Sequence, residues 1–219
     1  MSTDNTITLF YSPQTRAAGI RVILEELGAS YDLHVLNMKV DENHDPDFLA
    51  INPLGKVPTI RHHGTVITEQ VAIAIYLGDL FPDARLAPAI DDPQRGTYLR
   101  WLVYYAACFE PALMDKFTQN EVTDTSQSVY GDFDTMLATL ETALADGPWF
   151  LGERMSVADI LWGIALNWTM TFKLIPERPV FREYADRVTA RAAFIKVAAD
   201  DERLAAAHQA VVDQRRGEC

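Results

Sequence analysis

The sequence predicts two domains, a small α/β domain followed by an all-α domain. Three observations lead there. The first eighty residues read strand, helix, strand, loop, strand, strand, helix. The stretch Phe81 to Pro93 carries Pro82, Pro88 and Pro93 among a cluster of aspartates, the composition of an inter-domain linker. From there to Cys219 only helical periodicity is found. The expected boundaries are residues 1–81 for the α/β domain, 82–92 for the linker and 93–219 for the helical domain.

Taken in order, Ile7-Thr8-Leu9-Phe10-Tyr11 is a short apolar strand that Ser12-Pro13-Gln14 breaks. Thr15 to Leu27 turns helical, with Ile20, Ile23, Leu24 and Leu27 on one face and Gly28 where a terminating glycine belongs. Tyr31 to Leu36 is a second strand, parallel to the first because the chain crosses back through a helix. Lys39 to Asp47 is polar loop, and Phe48-Leu49-Ala50 is one helical turn. Val57–Ile60 and Thr65–Ile67 are strands joined by a turn at His62-His63-Gly64, and a helix runs from Glu69 to Leu80. Beyond the linker, Asp92-Pro93 starts a helix over Gln94–Met114. Further helices are expected over Ser126–Ala145, Ser156–Phe172, Val180–Thr189 and Ala192–Val212.

Composition narrows the function classes. The 219 residues include 19 basic and 31 acidic ones, a net charge of −12, which disfavours nucleic acid and anionic membranes as partners. No apolar run reaches the roughly 18–20 residues of a membrane helix. The polar start Met1-Ser2-Thr3-Asp4-Asn5 lacks a signal-peptide pattern, so the expected location is the cytoplasm. Cys108 and Cys219 form no C-x-x-C, which argues against a dithiol centre or a cysteine zinc site; no metal is expected. Cys219, as last residue, does not fit a prenylation box and reads as a loose terminal thiol.

Three stretches carry chemistry. In Asn52-Pro53-Leu54-Gly55-Lys56-Val57-Pro58-Thr59-Ile60, a cis bond before Pro58 would turn the Val57 N–H and C=O outward, where an extended ligand can pair with them like a neighbouring strand. Read alone, the same residues are an ordinary strand start. In Thr68-Glu69-Gln70 a helix N-terminus offers N–H groups to a carboxylate. Gln70 can donate to that carboxylate while Glu69 accepts from an ammonium, a pairing that suits an amino-acid head; a plain helix cap is the alternative. In Tyr11-Ser12-Pro13-Gln14-Thr15-Arg16, Ser12 or Thr15 can cap the first helix. Arg16 lies at a helix start, where the dipole disfavours a cation unless an anion shares the site or the side chain points away. Ser156-Val157-Ala158-Asp159 is a capping box with a structural role.

The order and spacing of these residues resemble the cytosolic glutathione transferases over nearly the whole chain. Carrying the resemblance are Asn52 to Pro58, Thr68-Glu69-Gln70 with Ala72-Ile73, Arg21-Val22 with Leu24-Glu25-Glu26, and Phe150-Leu151-Gly152-Glu153 with Ser156 to Ile160. The resemblance implies a thioredoxin-like N-terminal domain, an all-helical C-terminal domain and a homodimer. Glutathione is the implied co-substrate, with its cysteinyl backbone on Val57 beside Pro58, its γ-glutamyl end on Glu69 and Gln70, and its glycine carboxylate near Lys39 and Lys56. The implied electrophile wall holds Tyr104, Tyr105 and Cys108, an aromatic stripe that periodicity alone reads as core. At the reactive end the sequence departs from the better-known patterns. Arg16 stands where several classes hold a cysteine or serine and where tyrosine-type classes often carry a thiolate-stabilising arginine; the tyrosine of those classes falls on Phe10. The sulfur's hydrogen-bond donor therefore stays open among Tyr11, Ser12, Thr15 and Arg16.

The expected activity is a glutathione S-transferase that presents the thiolate to small hydrophobic electrophiles. The alternatives are a glutathione-dependent isomerase or dehalogenase, a disulfide reductase or peroxidase on the same fold, and a non-catalytic binding or scaffold protein.

Overall fold

The computed structural model describes residues 6–120, 122 and 124–217. The expectations placed on Met1 to Asn5 and on Cys219 lie outside the described residues. Two compact units form: the first joins the chain up to Ala84 with the segment from Ala192 onward, and the second is Arg85–Arg191. The last helix, assigned by sequence to the second domain, thus groups with the first unit.

In the first unit, strands β1 (Ile7–Tyr11), β2 (Tyr31–Val35), β3 (Thr59–His62) and β4 (Thr65–Ile67) form one mixed sheet in the order β2-β1-β3-β4. β1 runs parallel to β2, with Leu9 opposite Leu33, and antiparallel to β3, with Leu9 opposite Ile60. The parallel pair is joined through α1 (Ala17–Glu26), the crossover that parallel strands require. Ile20, Ile23 and Leu24 of α1 are fully buried, as are Leu9 and Ile60 of the sheet. Gly28 takes a φ of +65° at the end of α1, and the Ala29 N–H closes the helix on the Leu24 carbonyl at 3.0 Å. The loop after β2 contains the single turn α2 (Pro46–Leu49), whose Phe48 packs with Phe10 and Leu36. After the β3–β4 hairpin comes α3 (Gln70–Leu80), which buries Ile73, Ala74 and Leu77.

The second unit is helical: α4 (Arg95–Tyr104), α5 (Glu110–Phe117), α6 (Phe133–Ala145), α7 (Val157–Thr171) and α8 (Pro179–Thr189). The single helix expected over Gln94–Met114 is interrupted by a π-type turn at Tyr105–Phe109. Pro111 supplies the reason. It has no N–H for the carbonyl four residues earlier and its ring crowds that carbonyl, so a wider turn precedes it. The helix expected from Ser126 begins only at Phe133. Gly131 breaks the backbone with a φ of +75°, and the Asp132 carboxylate caps the helix by accepting the Thr135 N–H at 2.8 Å. At the centre, fully buried Trp162 donates its indole N–H to the Trp101 carbonyl at 2.9 Å. The remaining helix, α9 (Ala192–Gly217), belongs to the first unit.

The capping box of α7 is more than a cap. The buried Asp159 carboxylate accepts from the Ser156 N–H at 2.7 Å, the Ser156 hydroxyl at 2.8 Å, the Phe150 N–H at 2.9 Å and the Tyr184 hydroxyl at 2.7 Å. Burial raises its pKa while these four bonds oppose the rise. Removing the carboxylate orphans several donors, each costing about 1–3 kcal/mol. Urea unfolding should therefore show a loss of about 1 kcal/mol for Ser156→Ala and at least about 3 kcal/mol for Asp159→Ala.

Candidate functional site

The loop from Asn52 to Pro58 is built by two buried asparagines. The Asn52 amide donates to the Lys56 carbonyl at 2.9 Å and to the Thr59 hydroxyl at 3.1 Å, and its oxygen accepts the Leu54 N–H at 3.1 Å. Asn43 reaches across from the preceding loop and donates to the Gly55 carbonyl at 2.9 Å. Gly55 has a φ of +59°, and a Cβ there would lie 2.9 Å from the Asn43 carbonyl oxygen. Backbone conformation and space both demand glycine. This frame delivers Val57 to Pro58 through a cis bond, one of the two readings open in the sequence. Among the described residues no group pairs with the Val57 N–H or C=O.

Beside it, α3 begins at Gln70 with no side-chain cap. Its first intrahelical bond is donated by Ile73, so the N–H groups of Gln70, Val71 and Ala72 point out of the helix end unpaired among the described residues. Glu69 stands at φ +65° and ψ 114°, in the left-handed half of backbone space and outside the usual basin. Such a conformation costs about 1–3 kcal/mol and is characteristic of ligand clamps. The Gln70 amide donates to the Arg16 carbonyl at 2.9 Å, which ties α3 to the segment after β1. Its Oε1 is enclosed and has no partner. Gln70 was expected to donate to a carboxylate; here one of its two amide N–H groups is used within the protein and its acceptor oxygen is left over.

The segment from Tyr11 to Arg16 sorts its own candidates. Tyr11 is fully buried and its hydroxyl donates to Asp201 of α9. Burial, and then Asp201, drive its pKa far up, so the hydroxyl keeps its proton. The Thr15 hydroxyl donates to the Ser12 carbonyl at 2.7 Å and accepts the N–H of Ala17, the first residue of α1, at 3.2 Å, while the N-cap position itself is Arg16. Arg16 is exposed. Ser12 is 3% exposed, and no described residue hydrogen-bonds its Oγ. Phe10 lies in the core against Phe48 with ring centroids 5.5 Å apart. Since Phe10 pairs with Thr59, the chain leaves β1 at Tyr11 and Ser12 alongside the entry of β3 at Val57 and Pro58.

The remaining candidates divide. Lys39 reaches Gln209 of α9 through its Nζ at 2.9 Å, while Lys56 is exposed. In the second unit Tyr104 ends α4 and donates to the Met136 carbonyl at 3.1 Å. Tyr105 is 5% exposed and stands edge-on to Trp162 with centroids 5.3 Å apart, the packing of a core residue. Cys108 is part-buried, and burial pushes its thiol pKa up. A hollow of about 630 Å³ in this unit is bounded by Phe133, Met170, Ile175 and Arg182, and none of these three residues lines it. Among the described residues no cluster of metal-ligating side chains occurs. Asn43 and Asp201 were missed by sequence reasoning. Asn43 sits in a polar loop with no local signal, and Asp201 acts 190 residues from the tyrosine it holds.

The N-terminal domain model of the glutathione S-transferases matches residues 5–79, and their C-terminal domain model matches residues 123–187. The chain is 31% identical over 169 residues to glutathione S-transferase GstA of Escherichia coli O157:H7, covering 76% of this chain and 84% of that one. Among solved structures, a glutathione transferase from Methylococcus capsulatus str. Bath is 28% identical with a TM-score of 0.75, over 90% of this chain and 99% of that one. A sphingomonad glutathione S-transferase complexed with glutathione is 27% identical with a TM-score of 0.73, over 89% and 98% of the two chains. The chain belongs to the glutathione S-transferase family. The sheet of the first unit, with α1 and α3, is the thioredoxin-like domain of that fold.

The geometry around Gly55 can be checked without any ligand. Gly55→Ala meets both the left-handed φ and the Asn43 carbonyl, and should lower stability by about 1–3 kcal/mol in denaturant unfolding.

Proposed function

We propose that the protein is a glutathione S-transferase enzyme that binds glutathione on its first unit, activates the thiol through Ser12 and delivers it to small hydrophobic electrophiles, working as a homodimer. The observation that carries this reading is the Ser12 hydroxyl, to which no described residue hydrogen-bonds, next to the unpaired Val57 backbone and linked through Arg16 to the open end of α3. Beside it the enclosed Gln70 Oε1 has no hydrogen bond, a deficit of about 1–3 kcal/mol. Such an orphan in a site is best explained by a ligand that supplies the partner.

On this reading the extended cysteinyl backbone pairs with the Val57 N–H and C=O. The γ-glutamyl carboxylate takes the N–H groups at the start of α3, and its ammonium faces Glu69 and the orphan Gln70 Oε1. Lys56 and Lys39 are the cations for the glycine carboxylate, Lys39 on releasing Gln209. The thiol sulfur then lies at Ser12. Tyr11 and Thr15 are set aside because their hydroxyl protons are already committed. Arg16 contributes its positive charge.

Magnitudes support a single donor. A thiol near pKa 8.5 is about 3% ionised at pH 7, and lowering it by about two units takes about 2.7 kcal/mol. A hydrogen bond to a charged group gives about 1.5–3 kcal/mol and a helix N-terminus about 0.3–1 kcal/mol. Ser12 with the adjacent start of α1 suffices, and Arg16 adds to it. In the reaction the sulfur proton leaves to solvent, the thiolate attacks the electrophilic carbon and the leaving group departs. No covalent enzyme intermediate is needed.

Three outcomes test the reading. Ser12→Ala should abolish most of the ultraviolet thiolate band of bound glutathione and lower kcat at least tenfold while glutathione Kd changes little; an unaltered band would contradict the donor assignment. Arg16→Ala should lower turnover more than glutathione affinity, and equal losses would limit Arg16 to binding. Glu69→Ala should chiefly weaken glutathione binding in calorimetric titration. A protein that binds glutathione but conjugates no electrophile of a broad panel would be a binding module instead.

A further inference from the structure

α9 spans 26 residues, yet Val197 is its one buried side chain. Polar contacts tie it to the first unit at several points. Lys196 meets Glu25 at 2.7 Å, Asp200 pairs with Arg21, the His208 carbonyl accepts from Asn37 at 3.3 Å and Gln209 accepts from Lys39 at 2.9 Å. One contact differs in kind because it grips the reactive segment. Asp201 accepts the Tyr11 hydroxyl on Oδ1 and the Gln14 N–H on Oδ2 at 3.0 Å.

These two donors flank Ser12 and Pro13. Tyr11 is the last residue of β1, and Gln14 stands at φ +59°, a left-handed conformation that a side chain such as glutamine adopts only when its surroundings hold it there. Asp201 therefore fixes one side of the loop at its buried end and the other at its strained turn. The Thr15 hydroxyl holds the Ser12 carbonyl from within. Between these restraints the Ser12 Oγ is left without a partner and with little freedom to move.

We propose that Asp201 is a positioning residue for the thiol chemistry: through Tyr11 and Gln14 it fixes the loop that aims the Ser12 hydroxyl. The proposal rests on the reading of Ser12 as the sulfur's donor. It assigns the C-terminal helix a part in the glutathione half of the reaction, carried by one carboxylate bridging two sites on a six-residue segment. A misplacement of about 1 Å at a reacting group can cost about a hundredfold in rate.

The test uses the full chain and reads kcat, glutathione Kd and the thiolate band for Asp201→Ala, Asp201→Asn, Tyr11→Phe, Ser12→Ala and the Asp201→Ala/Ser12→Ala double variant. Asp201→Ala should lower kcat about 10- to 100-fold and shrink the thiolate band, with Kd within about threefold of the native value. Asp201→Asn, which keeps an acceptor oxygen, should recover part of the loss. Tyr11→Phe, which removes one of the two contacts and preserves the ring, should fall in between and guards against an unfolded Asp201→Ala. In the Ser12→Ala background Asp201→Ala should lower kcat no further, because residues acting as a unit are not additive. Losses that multiply in the double variant, or a native-like Asp201→Ala beside an impaired Ser12→Ala, overturn the proposal alone. A native-like Ser12→Ala overturns the donor reading and the proposal with it.

Discussion

Between the end of β1 at Tyr11 and the start of α1 at Ala17 the backbone leaves the buried sheet, turns through a left-handed residue and enters a helix, and its polar groups need partners that the sheet no longer supplies. The solution adopted here constrains the rest of the first unit. The Thr15 hydroxyl serves both the Ser12 carbonyl and the Ala17 N–H; Asp201 serves the Tyr11 hydroxyl and the Gln14 N–H; Gln70 serves the Arg16 carbonyl. Three separate elements, α1, α3 and α9, are thereby fastened to six residues. The hydroxyl left over is that of Ser12.

The same logic explains how the loop from Asn52 to Pro58 is held. Asn52 and Asn43 replace secondary structure in the loop before β3, satisfying carbonyls and N–H groups that a helix or strand would otherwise pair. The backbone that emerges at Val57 is ordered yet unpaired, the condition for adding a strand-like ligand without a large entropic cost. At α3 the strained Glu69 backbone and the missing cap leave a helix end open rather than satisfied. The open groups lie where the chain is best held.

Much of this was legible in the sequence because it is local. The strand at Ile7–Tyr11, the helix facing inward through Ile20, Ile23 and Leu24, Gly28 at its end and the β3–β4 hairpin follow from period and turn chemistry. The family follows from residue order in the Asn52–Pro58 and Thr68–Gln70 motifs. What was not legible is non-local or depends on a single residue. The π-type turn at Tyr105–Phe109 comes from Pro111 within a strong helical pattern, and the late start of α6 comes from Gly131 and Asp132 overriding the periodicity before them. The docking of α9 on the first unit includes contacts of Asp200 and Asp201, which look in sequence like ordinary acids of a solvated helix. For the same reason the four candidates from Tyr11 to Arg16 were equivalent in sequence, and the choice of Ser12 proposed above draws on hydrogen bonds that only the fold shows.

The central claim is that one hydroxyl, that of Ser12, meets the sulfur of glutathione. A crystal structure of the protein soaked with glutathione measures it most directly. The account predicts the sulfur within about 3.5 Å of Ser12 Oγ, the cysteinyl backbone paired with Val57, and Tyr11 still bound to Asp201. A sulfur held by the Tyr11 hydroxyl, with Asp201 displaced, would contradict it.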